Sequence, residues 1–236
     1  MSNRRLLLLP VLLLGLFAGC LSQGADQKTS VKPGINKNFE GKVDVDKWVG
    51  IFEGESREVF KHRRDIVQAL GLKPGMSVAD VGAGTGFFSL LFADKVGPSG
   101  KVFAADIAPD FLKHIDAKAK ERHLTNVTTV HCTQNSVALP PDSIDLAFIC
   151  DVYHHFEYPH STMRSIHRAL RPGGAVVVID FIRIEGVSSD WVLGHVRAGQ
   201  KKVTQEIEAD GFELAHDLPP TPYLKENYMI RFRKKG

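Results

Sequence analysis

The chain has 236 residues, 43% of them hydrophobic, enough for one domain with a full core and too few for a second large one. Its 30 Lys+Arg and 27 Asp+Glu leave a formal net charge of +3. The basic runs, Lys61-His62-Arg63-Arg64 and Arg231-Phe232-Arg233-Lys234-Lys235, are short, which speaks against the broad basic face of a nucleic-acid binder; no nucleic-acid partner is expected.

At the front, Arg4-Arg5 precede the apolar run Leu6–Leu16 and the small residues Ala18-Gly19 before Cys20. A positive end, a short apolar core and small residues at a cut form a secretory signal, and the run is too short to span a bilayer comfortably. Ending on Ala18-Gly19-Cys20, residues 1–20 resemble a bacterial lipoprotein signal, although Leu16 stands one place further from the cysteine than that family's preferred leucine. The resemblance implies lipidation at Cys20 and attachment to a membrane, the outer one if the cell has one, since Leu21 follows. An ordinary signal or an uncleaved anchor are the alternatives. Residues 21–42, rich in Gly, Ser, Lys, Gln and Asn, are expected to form a flexible tether to a domain over 43–236.

Between 44 and 70, Trp48, Phe52, Val59, Phe60, Ile66, Val67 and Leu70 are spaced as a helical apolar face broken near Gly54. The apolar run Val78-Ala79-Asp80-Val81 then enters Gly82-Ala83-Gly84-Thr85-Gly86 and leaves into a helix-like pattern from Phe87 to Phe92. A strand, a tight turn and a helix start aim N–H groups at a ligand that the bare backbone lets come close. The dinucleotide fingerprint wants its third glycine where Phe87 stands, and no Lys-Ser/Thr pair follows to make a phosphate loop. Asp80 is a poor neighbour for a pyrophosphate and a good one for an ammonium or amide. A second strand, Lys101–Ala105, closes on Asp106, 20 residues beyond Gly86. In a βαβ unit that spacing delivers a carboxylate to ribose hydroxyls; the competing role is a helix N-cap.

A helix over Phe111–Arg122, a strand over Val127–His131 and the polar turn Cys132-Thr133-Gln134-Asn135-Ser136 follow. The strand Ser143–Cys150 ends in Asp151-Val152-Tyr153-His154-His155, polar residues at the position where an open α/β sheet places its chemistry. Adjacent histidines without CxxC or HxxxH support predict no metal site. Cys132 and Cys150, in or beside apolar runs, read as two buried thiols rather than a disulfide framework. A helix from Met163, the turn Leu170-Arg171-Pro172-Gly173-Gly174 and the buried strand Ala175–Ile182 come next. Residues 185–200 lack the apolar spacing of a core helix and carry Trp191, His195 and Arg197; they read as a loop facing the cleft, or as a crossover with Trp191 packed over the core. A helix over 200–209 and strands near 212 and 228 complete the chain.

The glycine turn, the spaced Asp106 and the Leu-Arg-Pro-Gly-Gly turn together resemble the class I S-adenosylmethionine-dependent methyltransferases, the last feature their ubiquinone/menaquinone-type group. The resemblance covers about residues 50–235. It implies a Rossmann-like α/β fold with a seven-stranded, mostly parallel sheet, helices on both faces and an antiparallel C-terminal hairpin. It implies S-adenosylmethionine as cofactor, bound by Asp80, Gly82, Ala83, Gly84, Gly86 and Asp106. Arg57, in the lead-in segment, would meet the cofactor's carboxylate. Asn135 stands where relatives place an acid for the adenine amine, and as an uncharged acceptor it shares that role with Gln134.

The activity implied is methyl transfer to a small-molecule acceptor. His154 is the expected proton acceptor, with Asp151 orienting, Tyr153 donating a hydrogen bond and His155 mainly structural; Trp191 and His195 close the acceptor side. The alternative is an inactive adenosylmethionine-binding envelope lipoprotein with a sensing or structural role. Phe87 and Asp80 disfavour a nicotinamide oxidoreductase. Export and an intracellular cofactor pull against each other, and the residues alone do not decide between them.

Overall fold

The computed structural model describes residues 27–236. The expected signal segment, its lipidation residue Cys20 and the first part of the expected tether lie outside the described residues. No helix among the described residues is long and apolar enough to cross a membrane.

The order of elements is α1 (Val45–Phe52), α2 (Glu58–Lys61), α3 (Arg63–Ala69), β1 (Ser77–Val81), α4 (Phe87–Val96), β2 (Lys101–Asp106), α5 (Pro109–Glu121), β3 (Val127–His131), β4 (Ile144–Cys150), α6 (Pro159–Ala169), β5 (Leu170–Phe181), α7 (Asp190–His195), α8 (Gln200–Ala209), β6 (Phe212–Ala215) and β7 (Asn227–Lys234). The seven strands form one sheet in the order β3-β2-β1-β4-β5-β7-β6, with β1 to β5 parallel and β7 antiparallel to both β5 and β6.

Strands buried on both faces need apolar side chains at every position, and the period-two alternation sorts them between two cores. Ala79, Val81, Ile149, Val176 and Val178 pack with Met163 and Ile166 of α6 and Ile207 of α8. Val78, Leu146, Phe148, Val177 and Ile179 pack on the other face with Ile66 of α3 and Phe88 and Phe92 of α4. Because β1 is flanked by β2 on one side and β4 on the other, the chain switches direction across the sheet there. The crevice beyond the carboxyl ends of these strands is where such a sheet receives a ligand.

Three local expectations are corrected. Residues 27–42 do not hang free. Val31 N–H donates to Glu157 O at 2.9 Å, Gly34 N–H to Glu157 Oε1 at 2.9 Å, and Asn36 Nδ2 to His155 O at 3.0 Å. Their polar composition signals no core of their own, and it is hydrogen bonding to the domain that orders them. Residues 190–195 form a helix, α7, capped by the Ser189 hydroxyl, which accepts from Val192 N–H. The Leu-Arg-Pro-Gly-Gly segment is a bulged start to β5 rather than a separate turn. Register moves from Ile144 opposite Leu170 to Leu146 opposite Ala175, with Gly173 at φ +76°.

Candidate active site

The strand ends and the segments above them enclose a cavity of about 630 Å3. Its floor is the glycine turn. Gly82 has φ +72°, and a Cβ there would lie 2.4 Å from the Val152 side chain, so only glycine lets the two strand-end turns meet. Gly82, Ala83 and Gly84 face the cavity. Gly86, expected to contact the cofactor, does not line it. At φ +80° it starts α4, and a Cβ there would be 2.5 Å from Ile115, so its job is to pack the turn against α5.

Asp106, at the end of β2, binds this turn. Its Oδ2 accepts from Gly84 N–H and its Oδ1 from Ala108 N–H, each at 2.8 Å. It thus fixes the turn and the entry to α5 together, and it lines the cavity. Burial raises its pKa against the pull of these N–H donors. Asp80, near the end of β1, accepts from the Ser89 hydroxyl at 2.6 Å. Burial, helped by the nearby Asp106 and opposed by the Ser89 bond, pushes its carboxyl up to about 7. The Thr85 hydroxyl is buried without a hydrogen-bond partner among the described residues, and Thr85 lines the cavity. Together these residues are a polar cradle with an unmet donor and an acid primed for a cation. They fit the polar and cationic groups of S-adenosylmethionine.

Two other cofactor expectations change. Gln134 lines the cavity and accepts from Asn36 Nδ2 at 2.7 Å, but Asn135 turns away, its Oδ1 accepting from the Thr133 hydroxyl at 2.8 Å. Arg57 faces the cavity but is engaged: it donates to Asp151 Oδ2 at 2.6 Å and to Phe52 O at 3.2 Å. Asp151 takes a second hydrogen bond from Asn227 Nδ2 at 2.5 Å. Asp151 therefore anchors α2 and β7 to the end of β4 rather than orienting a histidine. Its own backbone sits at φ +54°, held by these partners. Cys132 and Cys150 are both free, and burial raises both thiols, Cys132 to about 12.

Residues 153–155 form one turn of 3-10 helix, which sends successive side chains in different directions. Tyr153 points into the core. It is fully buried, donates to Glu206 Oε2 at 3.2 Å and lies beneath Arg197, so it is not part of the acceptor wall. Arg197 in turn makes two bonds to Glu206, at 3.1 and 2.8 Å, and is structural. His154 and His155 both reach the cavity, as do Trp191 and His195 from α7.

His154 is tied to Asp180, near the end of β5, by Nδ1 at 2.7 Å and by its own backbone N–H at 3.0 Å. His155 Nδ1 faces Asn36 Oδ1 at 3.1 Å, and its Nε2 lies 3.3 Å from His195 Nε2. Burial is the largest cause that lowers His155, to about 2, and it also lowers His195, each ring thereby favouring its neutral form. Trp191 stacks on His195 with centroids 4.8 Å apart. Phe39, Trp48, Phe52 and Phe111 form an aromatic wall that adjoins the histidines, the Phe39 ring meeting His155 edge-on with centroids 5.6 Å apart. Sequence reading missed Asp180 and Asn36. Asp180 did leave a signal, a lone acid within the apolar run 175–181 of β5; Asn36 left none.

The seven-stranded sheet, its glycine turn and the acid at the end of β2 define a Rossmann-like domain of the class I methyltransferase type. Residues 72–231 match the family model described as a methyltransferase domain, and the chain belongs to that family. S-adenosylmethionine is the cofactor expected of it. The chain is 28% identical over 124 residues to the demethylmenaquinone methyltransferase of a Geobacillus strain, covering 52% of this chain and 53% of that protein. It is 30% identical over 158 residues to the ubiquinone/menaquinone biosynthesis C-methyltransferase of Shewanella oneidensis, covering 66% of this chain and 61% of that one. A methyltransferase structure from Aquifex aeolicus superposes with a TM-score of 0.69 at 23% identity, over 82% of this chain and all of that one, a likeness of fold. The chain thus spans between half and two thirds of the curated relatives' length.

The raised Asp80 carboxyl gives a sign to the pH dependence of binding. Between about pH 4 and 7 the folded protein holds a proton on Asp80 that the unfolded chain has released, so this group's contribution to stability declines as pH rises through that window. An ammonium bound beside Asp80 reverses the preference by favouring the carboxylate. Affinity for S-adenosylmethionine is therefore expected to weaken below pH 7, approaching about tenfold per unit, and to level off above it. Ser89→Ala, which removes a donor to the carboxylate, should move that break upward. Calorimetric affinities that are flat from about pH 5.5 to 7.5 would contradict the assignment.

Proposed function

We propose that this protein transfers a methyl group from S-adenosylmethionine to a small molecule held in the cavity that the aromatic wall and the histidines line. The observation that carries the reading is one cavity joining two dissimilar halves. One half is the glycine turn with Asp80, Thr85 and Asp106, and the other is the cluster of His154, His155 and His195 beneath Trp191. When bound, the cofactor supplies a sulfonium methyl already activated for transfer. The chain's task is then to align an acceptor, exclude water and deal with the acceptor's proton.

Asp106 holds the nucleoside end, while the N–H groups of Gly82, Ala83, Gly84 and Gly86 are spent on Ala105 O, Asp106 and Ala83 O to fix the turn, and Asp80 and Thr85 take the amino-acid end. Phe52 and Trp48 shield the space above. On the acceptor side, neutral imidazoles are the groups with lone pairs to offer a hydroxyl or thiol, and Asp180 fixes the tautomer of His154 with its Nδ1 hydrogen-bonded and its Nε2 available. The size of the cavity favours a small acceptor over a macromolecule. The Shewanella relative is a C-methyltransferase of ubiquinone/menaquinone biosynthesis, and the apolar walls here would accommodate a ring-bearing acceptor.

The test is transfer of labelled methyl from S-adenosylmethionine into a small-molecule extract of the source cells. Wild type should label a discrete small product, and His154→Ala should cut turnover by about 100-fold while cofactor affinity stays nearly unchanged. Label found only in RNA or folded protein, or in nothing despite tight cofactor binding, would contradict the reading.

We also propose that the domain is exported and lipid-anchored through Cys20, a reading supported by Arg4-Arg5, the Leu6–Leu16 run and Ala18-Gly19-Cys20. Mass spectrometry of the native protein should find a diacylated or triacylated Cys20 as the amino terminus; an intact Met1 with unmodified Cys20 would contradict it.

A further inference from the structure

We propose that His154, His155 and His195 form a three-imidazole site for a divalent transition-metal cation of the zinc type, with its open position facing the acceptor half of the cavity. One ring nitrogen from each histidine lies within 4.8 Å of the other two. Their ring centroids are 4.4, 5.2 and 5.1 Å apart, so the three rings converge on one point rather than stacking in a row. The His155 and His195 Nε2 atoms are 3.3 Å apart. That is the edge of a tetrahedron of nitrogens about 2.0–2.1 Å from a zinc ion. The wider spacing, at most 4.8 Å, closes by a ring movement of up to about 1.5 Å, and His195, half-buried on the six-residue α7, is placed to share in it.

Tautomers favour the same reading. Asp180 Oδ1 is an acceptor only, so His154 Nδ1 carries the hydrogen and its Nε2 is bare when the ring is neutral. Asn36 donates through Nδ2 to Gln134 and His155 O, which leaves Oδ1 to accept from His155 Nδ1–H and bares His155 Nε2. A carboxylate behind one ligand and an amide oxygen behind another is the outer support that fixes metal-binding imidazoles. Asp180 also brings the negative charge that a cation needs. Lys32, the nearest ammonium, donates to the Gly194 and His195 carbonyls and so secures the end of α7 from outside the cluster. Without a cation, two bare nitrogens and a third imidazole would be brought together for one N–H···N contact, at the expense of burying all three rings. Trp191, 57% exposed yet stacked on His195, covers the third ring.

Three protein ligands and one open position make a site that binds a substrate atom. Its role in catalysis rests on the methyl-transfer reading above; the metal site itself does not. A hydroxyl or thiol of the acceptor takes the open position and releases its proton to solvent, leaving a metal-bound oxygen or sulfur anion. That atom's lone pair forms the new bond to the methyl carbon. The carbon–sulfonium bond breaks with its electron pair kept by sulfur, giving the neutral thioether, and the methylated, now neutral acceptor leaves the metal. The acceptor class is therefore a thiol, phenol or alcohol small enough for the cavity, and the histidines act through the cation rather than by one of them removing a proton alone.

The full chain, stripped with a chelator, should take up one equivalent of Co2+ with the intense visible absorption of a four-coordinate site. His195→Ala, on the surface-proximal ring, and His155→Gln should abolish that band. Asn36→Ala should weaken Co2+ binding by about 10–100-fold. S-adenosylmethionine affinity, measured on the same metal-free samples, should be unchanged in His195→Ala, which also reports that the variant is folded. Chelation should stop labelled-methyl transfer and Zn2+ should restore it. No uptake by wild type, or uptake indifferent to His155 and His195, overturns the site. Transfer indifferent to chelation overturns the metal's role. Co2+ bound in protein that never binds S-adenosylmethionine leaves the site standing and removes the methyl-transfer reading instead.

Discussion

The Asp106 carboxylate is the constraint on which the rest of the site depends. One side chain holds the N–H of Gly84 in the turn after β1 and the N–H of Ala108 at the start of α5. The turn itself is strained for any residue but glycine at Gly82 and Gly86, so it needs an external clamp to keep a single shape. Adjacent parallel strands β1 and β2 supply that clamp because their register sets Val81 beside Ala105, bringing the turn after β1 and the acid at the end of β2 together. The same acid then fixes the distance between the glycine turn and the wall that would meet a ribose.

Asp106 is one of four buried acids on the neighbouring strand ends. Asp80 near the end of β1, Asp106 ending β2, Asp151 just beyond β4 and Asp180 near the end of β5 are all shielded from water. Burying a carboxylate is costly unless something answers its charge, and each of the four is answered differently. Asp151 has the Arg57 guanidinium and an amide, and Asp180 has a histidine ring and two backbone N–H groups. Asp106 has backbone N–H groups, and Asp80 has Ser89 alone, through its hydroxyl and its backbone N–H. Asp80, the least compensated, is the one whose carboxyl rises to about 7. The row is thus graded from closed structural pairs at β4 to an acid awaiting a cation at β1. A cofactor carrying an ammonium and a sulfonium completes the set.

The fold was legible because its signals are local. Apolar runs of strand length, a glycine turn between strand and helix, and an acid at a fixed spacing each constrain the backbone within a few residues. The site was legible only where side-chain direction follows from the element. Gly82, Asp80 and Asp106 sit at strand ends, whose facing is set by the pleat, whereas Tyr153, His154 and His155 share one tight turn whose facing only the packed structure decides. Tyr153 went to Glu206 in the core, and Asn135 turned outward while Gln134 turned in. Residues 27–42 were hidden for a different reason. A polar segment that orders itself through long-range hydrogen bonds, as Asn36 does with Gln134 and His155, has the composition of a linker. The convergence of the third histidine was hidden likewise, since His195 lies 40 residues from His155.

The central claim is that this cavity holds S-adenosylmethionine with its nucleoside at Asp106 and its amino-acid end at Asp80 and Thr85. A crystal structure of the chain with S-adenosylhomocysteine tests it most directly. The account predicts ribose hydroxyls within hydrogen-bond distance of the Asp106 carboxylate, the amino group facing Asp80, and the sulfur directed at the histidine side of the cavity. A nucleoside bound elsewhere, or bound here with its amino-acid end turned away from Asp80, would contradict it.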